Sequence, residues 1–182
     1  NPRFILERMY LSKQLESWIK QENIQLVESY DWSGPLWHKP SVPLIVRMHG
    51  ANTACCLTEG KNPSRLLFFI EKRNVLMADY LIAVSDYIGE TTFKALKIRG
   101  KTWRTIYNGV DVTKFRQLNL ERDQKQILFV GSLHPRKGIF ELFKAFAIVA
   151  KQDPKAYLKI VGKMPPEPAG SMLISQLLAQ RP

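Results

Sequence analysis

Residues 126–162 constrain the fold of this chain more than any other segment. An apolar run ends at Gly131, a basic turn spans residues 132–138, an amphipathic stretch with helical periodicity follows, and a second apolar run ends at Gly162. This order predicts a β-turn-α-β unit, in which a helix joins two parallel strands. In open α/β sheets, ligands bind at the carboxyl ends of the strands. We therefore expect a ligand at the basic turn.

The basic turn has the composition of a phosphate site. Gly131 allows close backbone approach, and Gly138 opens the predicted helix, where we expect free N–H groups to face outward. Arg136 and Lys137 add cationic donors to the positive end of the helix dipole. The spacing is neither a Walker A loop nor a GxGxxG fingerprint. An ordinary βα loop with solvent-facing cations is the alternative, and the turn alone does not decide between the two.

The rest of the chain alternates between helical and strand patterns. We predict strands over 24–28, 44–48, 80–84 and 102–107, and helices over 4–22, 64–77 and 85–96. A polar stretch over 115–125 has no apolar periodicity and reads as a linker. Strand–helix alternation on both sides of it predicts an α/β fold with parallel sheets, in two parts with a boundary near residue 115.

Two of the predicted strand ends carry candidate site residues. His49-Gly50 follows the strand at 44–48, where a histidine can donate to a substrate oxygen or to a developing charge, although an ordinary polar loop is the alternative. Ser85 follows the next strand and is expected to cap a helix. Asn108 lies in an Asn-Gly turn, which taken alone is structural. Glu71 is expected to be an exposed helix residue.

The net charge of +11, from 27 basic and 16 acidic residues, is spread almost evenly over both halves of the chain. Nucleic acid, an anionic membrane surface or a phosphorylated substrate would each explain it, as would a solvated basic surface without a partner. The adjacent Cys55 and Cys56 and three scattered histidines have no metal-ligand spacing, and we expect a reducing cytosolic compartment.

Five segments, in order along the chain, are similar to motifs of one enzyme family. They are the strand ending in His-Gly at 46–50, the helix and strand at 71–85 ending in ADYLIAVS, IYNGVD at 106–111, ILFVGSLHPRKG at 127–138, and LKIVG at 158–162. Each motif alone is weak, but five in the same order are specific. Together they resemble the retaining GT-B glycosyltransferases of family 4, the glycosyl transferases group 1 class.

The resemblance implies a fold, a reaction and a place in a longer protein. The family has two Rossmann-like domains facing across a cleft that holds a nucleotide sugar. Residues 1–115 would be the later part of the N-terminal, acceptor-side domain. Residues 116–182 would be the linker and the first part of the C-terminal, donor-binding domain. The family transfers a sugar from a nucleoside-diphosphate sugar with retention of configuration, and it needs no metal because basic residues take the place of a cation.

The resemblance also implies the site residues. Lys137 matches a lysine that contacts the donor diphosphate, and His49 matches a histidine near the donor sugar, for which we expect a catalytic role. The remaining members of the implied site are the diphosphate-binding Arg136, Gly131, Ser132 and Gly138, and, at the cleft, Gly50, Asn108 and Ser85. The expected partners are a nucleotide sugar and a sugar or lipid acceptor, with a peripheral contact at the inner face of a membrane, a cytoplasmic location and no nucleic acid.

Two departures from the family pattern qualify this interpretation. Ser132 stands where the family usually has an arginine, and we expect Arg136 to compensate in part. The family's motif of two glutamates and its opening glycine-rich loop lie outside this sequence, so we expect an interior fragment that is inactive alone. A non-catalytic family member and a basic nucleic-acid-binding module, the latter supported by charge alone, are the competing hypotheses.

Overall fold

The computed structural model describes residues 2–118 and 121–179. The chain divides into two compact units, unit 1 over residues 1–115 and unit 2 over residues 116–182. The elements of unit 1 are α1 (Pro2–Gln21), β1 (Val27–Tyr30), β2 (Leu44–Met48), α2 (Asn52–Thr58), α3 (Arg65–Met77), β3 (Tyr80–Ala83), α4 (Asp86–Leu96) and β4 (Arg104–Thr105). Those of unit 2 are β5 (Gln126–Val130), a 3₁₀ turn (Pro135–Lys137), α5 (Ile139–Gln152), β6 (Tyr157–Val161) and α6 (Ala169–Leu178).

Unit 1 is built on a parallel four-stranded sheet in the order β1-β2-β3-β4. Alternate residues of β2, namely Leu44, Val46 and Met48, are fully buried. On the other face of the sheet, Arg47 forms an ion pair with Glu28 of β1, with 2.7 Å between Nε and Oε1. The predicted α/β class with parallel sheets is confirmed, and β2 has the predicted bounds.

Three elements of unit 1 differ from the prediction. The first strand covers 27–30 instead of 24–28, because the Ile24 N–H still donates to the Ile19 carbonyl at the end of α1 (3.0 Å). The fourth strand pairs only over Arg104–Thr105. Helix α2 was not predicted, since its seven residues contain no full apolar period.

Unit 2 contains a parallel pair, β5 and β6, covered by helices on one face. Phe129 and Ile160 are register partners and pack against a buried cluster formed by Leu133, Ile139, Leu173 and Leu177. The opposite face presents Val130 and Val161, which are 71% and 47% exposed. Parallel sheets are usually covered on both faces, so unit 2 as described is only half covered. No helix among the described residues has the length and apolarity that crossing a membrane requires.

Candidate functional site

The carboxyl edge of the sheet in unit 1 brings together residues that are far apart in sequence. Asp31 directly follows β1, His49 follows β2, and Ser85 lies two residues beyond β3. The strands are parallel, with Tyr30 opposite Arg47 and Met48 opposite Ala83, so their ends meet at one edge. The prediction that His49, Gly50 and Ser85 lie at strand ends matches this arrangement.

Asp31 fixes the backbone of the predicted site residues. Its Oδ1 accepts a hydrogen bond from the His49 N–H (3.0 Å) and its Oδ2 accepts one from the Gly50 N–H (3.2 Å). The carboxylate is fully buried, and this burial raises its pKa above the ordinary value of 3.8, although the hydrogen bonds from His49 and Gly50 oppose that shift. Gly50 has a φ of +110°, which side-chain-bearing residues rarely adopt. The His49 side chain is exposed.

Glu71 is a second buried carboxylate behind the same edge, so the prediction that it is exposed was wrong. It is 0% exposed. Its Oε1 accepts from the backbone N–H groups of Ser33 and Asn52, both at 2.8 Å, and its Oε2 accepts from that of Thr53 (3.0 Å). Glu71, on α3, therefore caps the start of α2 and connects the loop after β1 to the loop after β2 by hydrogen bonds.

A sequence signal for this role exists in α3. Glu71 and Asn74 lie three residues apart, next to the apolar Ile70 and Val75, and all four side chains are buried. Asn74 donates from Nδ2 to the Tyr30 carbonyl (3.0 Å), which fixes the end of β1. Two polar residues on the apolar face of a helix can thus indicate buried hydrogen bonding rather than exposure.

Ser85 and Asn108 are placed differently from each other. The Ser85 hydroxyl accepts from the Ile88 N–H (3.2 Å) and caps α4, as predicted. Asn108 lies three residues beyond β4 and is exposed. The Ile106 N–H donates to the Ala83 carbonyl (2.9 Å), so pairing with β3 stops two residues before Asn108.

In unit 2, the segment after β5 stays attached to the end of β6. The Gly131 N–H donates to the Val161 carbonyl (2.9 Å), and the Leu133 N–H donates to the Lys163 carbonyl (3.0 Å). Ser132, between these anchors, is exposed. The two bonds fix the start of the basic turn at the carboxyl edge of the parallel pair.

The basic turn itself is a 3₁₀ turn capped by a histidine. His134 Nδ1 accepts from the Arg136 N–H (3.2 Å), and its carbonyl accepts from the Lys137 N–H (2.8 Å). The Gly138 N–H donates to the Pro135 carbonyl (2.9 Å), so Gly138 itself has no free N–H to offer a ligand. The backbone N–H groups of residues 136–138 are therefore all hydrogen-bonded within the turn. His134 was not predicted from the sequence as the cap.

Gly138 links the turn to α5 in a left-handed conformation with φ of +71°. The Arg136 and Lys137 side chains are exposed. Glu141 adds a negative charge in the first turn of α5. The arrangement therefore offers two cationic side chains beside a helix N-terminus, which can attract an anion, and one carboxylate that partly offsets them.

The comparisons with known proteins cover both units. Residues 1–114 match the family Glycosyltransferase Family 4, and residues 111–179 match the family Glycosyl transferases group 1. An uncharacterized glycosyltransferase of Methanocaldococcus jannaschii is 22% identical over 183 aligned positions, which cover 89% of this chain and 47% of that protein. The chain thus spans about half the length of this curated relative. The resemblance inferred from the five motifs is confirmed: the chain belongs to glycosyltransferase family 4.

Proposed function

We propose that this protein transfers a sugar from a nucleoside-diphosphate sugar to an acceptor, with retention of configuration. Family membership over both units supports glycosyl transfer. The observation that carries the choice of donor is the basic turn at Pro135–Lys137, which stands at the carboxyl end of a parallel strand pair and at the start of a helix. This is the usual place for a phosphate in α/β proteins.

In this proposal, Lys137 binds the donor diphosphate. Its backbone is fixed by the 3₁₀ turn while its side chain is exposed, so the ammonium group can reach phosphate oxygens without rearrangement of the turn. Arg136 adds a planar donor, and the Ser132 hydroxyl adds a neutral one where the family usually has an arginine. Gly131 and Gly138 allow the backbone to approach the ligand.

His49 acts on the same donor in this proposal. Its backbone N–H is tied to Asp31, and its side chain is exposed at the strand end. A hydrogen-bond donor in this position acts on the sugar or on the charge that develops as the bond between the sugar and the diphosphate breaks. Such an interaction is stronger in the transition state than in the ground state, so it raises kcat rather than substrate affinity.

The acceptor and the setting of the reaction are also proposals. A sugar or lipid acceptor, a cytoplasmic location and a peripheral contact at the inner face of a membrane fit the charge of +11. We propose that the cationic side chains neutralise the leaving diphosphate, as a metal does in other enzymes.

Titration and turnover together test the proposal. Nucleoside diphosphates would be titrated into the full-length protein by calorimetry, and hydrolysis of nucleotide sugars would be measured in parallel. Binding together with hydrolysis supports the enzyme. Binding without hydrolysis or transfer favours the non-catalytic alternative that Ser132 keeps open. No binding of nucleoside diphosphates, with affinity for nucleic acid, would overturn the proposal.

A further inference from the structure

We propose that Asp31 and Glu71 are positioning residues that hold His49 for the transfer reaction, an inference that rests on the proposed function. Neither residue is exposed to solvent, and the oxygens of both carboxylates accept hydrogen bonds from backbone N–H groups at the carboxyl edge of the sheet. Their role is therefore to fix the loop from which His49 projects.

Asp31 holds His49 through two consecutive peptide groups. One oxygen accepts from the N–H of His49 and the other from that of Gly50. Fixing the peptide planes on both sides of one α-carbon also fixes the direction of its Cα–Cβ bond. The His49 side chain is thus aimed by the buried carboxylate while remaining free to meet a ligand.

Glu71 extends this support along the chain. It binds the N–H groups of Asn52 and Thr53, which follow the His49-Gly50 loop, and that of Ser33, which follows Asp31. The two carboxylates together accept five backbone N–H groups from two loops. Burying two carboxylates is costly. A sheet edge can close without them, so their presence here supports a role in fixing the His49 loop.

The opposite end of β2 provides a matched comparison. Asp79 accepts there from the Leu44 N–H (2.9 Å) and pairs with Lys39 (2.5 Å). It is the same residue type, but it is exposed, accepts a single backbone N–H, and lies at the amino end of β2, away from His49. Asp31→Asn and Asp79→Asn therefore each change a carboxylate that accepts from the backbone, but only Asp31→Asn is expected to affect activity.

The experiment compares these variants in the full-length protein. In Asp31→Asn, one carboxylate oxygen becomes an NH₂ group that faces a backbone N–H donor. That hydrogen bond is lost, and the direction of the His49 side chain is no longer fixed. Because misplacement of a reacting group by about 1 Å can cost about 100-fold, we expect kcat to fall about 10- to 100-fold. The KM for the nucleotide sugar should stay within about twofold. Asp79→Asn should keep kcat within about twofold of the wild-type value.

Glu71→Gln keeps one acceptor oxygen and serves as the second variant should Asp31→Asn not fold. We expect a smaller fall in kcat and faster hydrogen exchange at the amides of residues 49–53. Asp31→Asn should accelerate exchange at His49 and Gly50 in particular.

Three results would overturn the inference. One is a wild-type kcat in the Asp31 variant, or in Glu71→Gln where that variant takes its place. Another is a fall in kcat that merely tracks melting temperature across the Asp31 and Asp79 variants. The third is unchanged exchange at His49 and Gly50. A wild-type protein that neither binds nucleoside diphosphates nor turns over nucleotide sugars refutes the proposed function instead, and the exchange rates then still decide whether the carboxylates hold the loop.

Discussion

The backbone at Gly162 passes so close to the carbonyl of Gly131 that a Cβ on residue 162 would overlap that oxygen. The ends of β5 and β6 are held together here by the hydrogen bond from the Gly131 N–H to the Val161 carbonyl (2.9 Å). A Cβ on Gly131 would instead meet only the Phe129 ring, at 3.4 Å. This close approach fixes the point at which the chain leaves β5 and enters the turn that carries Lys137.

Gly162→Ala should therefore destabilise unit 2, whereas Gly131→Ala should be tolerated. Overpacking of this kind costs about 1–3 kcal/mol, because backbone has to move. Hydrogen exchange at the amides of α5 in the two variants measures the difference. Equal protection in both would show that the backbone at residue 162 relaxes without cost.

Lys137→Ala should weaken the binding of nucleoside diphosphates about tenfold or more, since a charge-assisted hydrogen bond contributes roughly 1.5 to 3 kcal/mol. Lys151, in the last turn of α5, provides the control, and Lys151→Ala should leave affinity unchanged. Calorimetry on the full-length protein measures both. Equal affinities for wild type and Lys137→Ala, with the fold intact, would remove Lys137 from the donor site.

Arg136→Ala should also weaken this binding, because Arg136 is proposed to stand in part for the arginine absent at residue 132. Ser132→Arg should be tolerated or should tighten binding, since residue 132 is exposed beside the anchored Gly131. The same titrations give both values. A neutral Arg136→Ala beside a strongly affected Lys137→Ala would show that Arg136 only faces solvent.

His49→Ala should lower kcat with little change in melting temperature. The side chain is exposed and the bond to Asp31 uses only the backbone N–H, so the variant keeps its structural contact. Exposed substitutions usually change stability by less than about 0.5 kcal/mol. His38, also exposed and in a loop, provides the control. A large drop in melting temperature with normal residual activity would make His49 a structural residue.

Local signals in the sequence predicted the elements that depend on them. Leu44–Met48 is apolar at every position but Arg47 and forms β2. Ser85 has the hydroxyl and position of a helix cap and caps α4. The basic turn after β5 was also located, but its internal bonding was not, because a 3₁₀ turn and a helix start share the same residue types.

The support of the His49 loop, in contrast, depends on contacts between distant residues. Asp31 and His49 are 18 residues apart, and Glu71 reaches back 38 residues to Ser33. A carboxylate on a helix is more often exposed than buried, so only the assembled sheet edge reveals that Glu71 accepts backbone N–H groups.

Stability should depend on pH with opposite sign for Asp31 and Asp79. Burial raises the folded-state pKa of Asp31 above 3.8, so its contribution to the free energy of unfolding falls as pH rises through that folded-state pKa. The hydrogen bond from Lys39 lowers the pKa of Asp79, whose contribution is present above 3.8 and is lost as pH falls through its folded-state pKa.

Relative to wild type, Asp31→Asn should thus become less destabilising as pH rises, and Asp79→Asn less destabilising as pH falls. All four tryptophans of the chain lie within residues 1–115, so tryptophan fluorescence in urea titrations of the 182-residue chain reports on unit 1. Titrations that run from well below pH 3.8 up to neutral pH follow both contributions. A pH dependence of the same sign in the two variants would contradict a raised pKa at Asp31, and with it the burial of a charged carboxylate beneath His49.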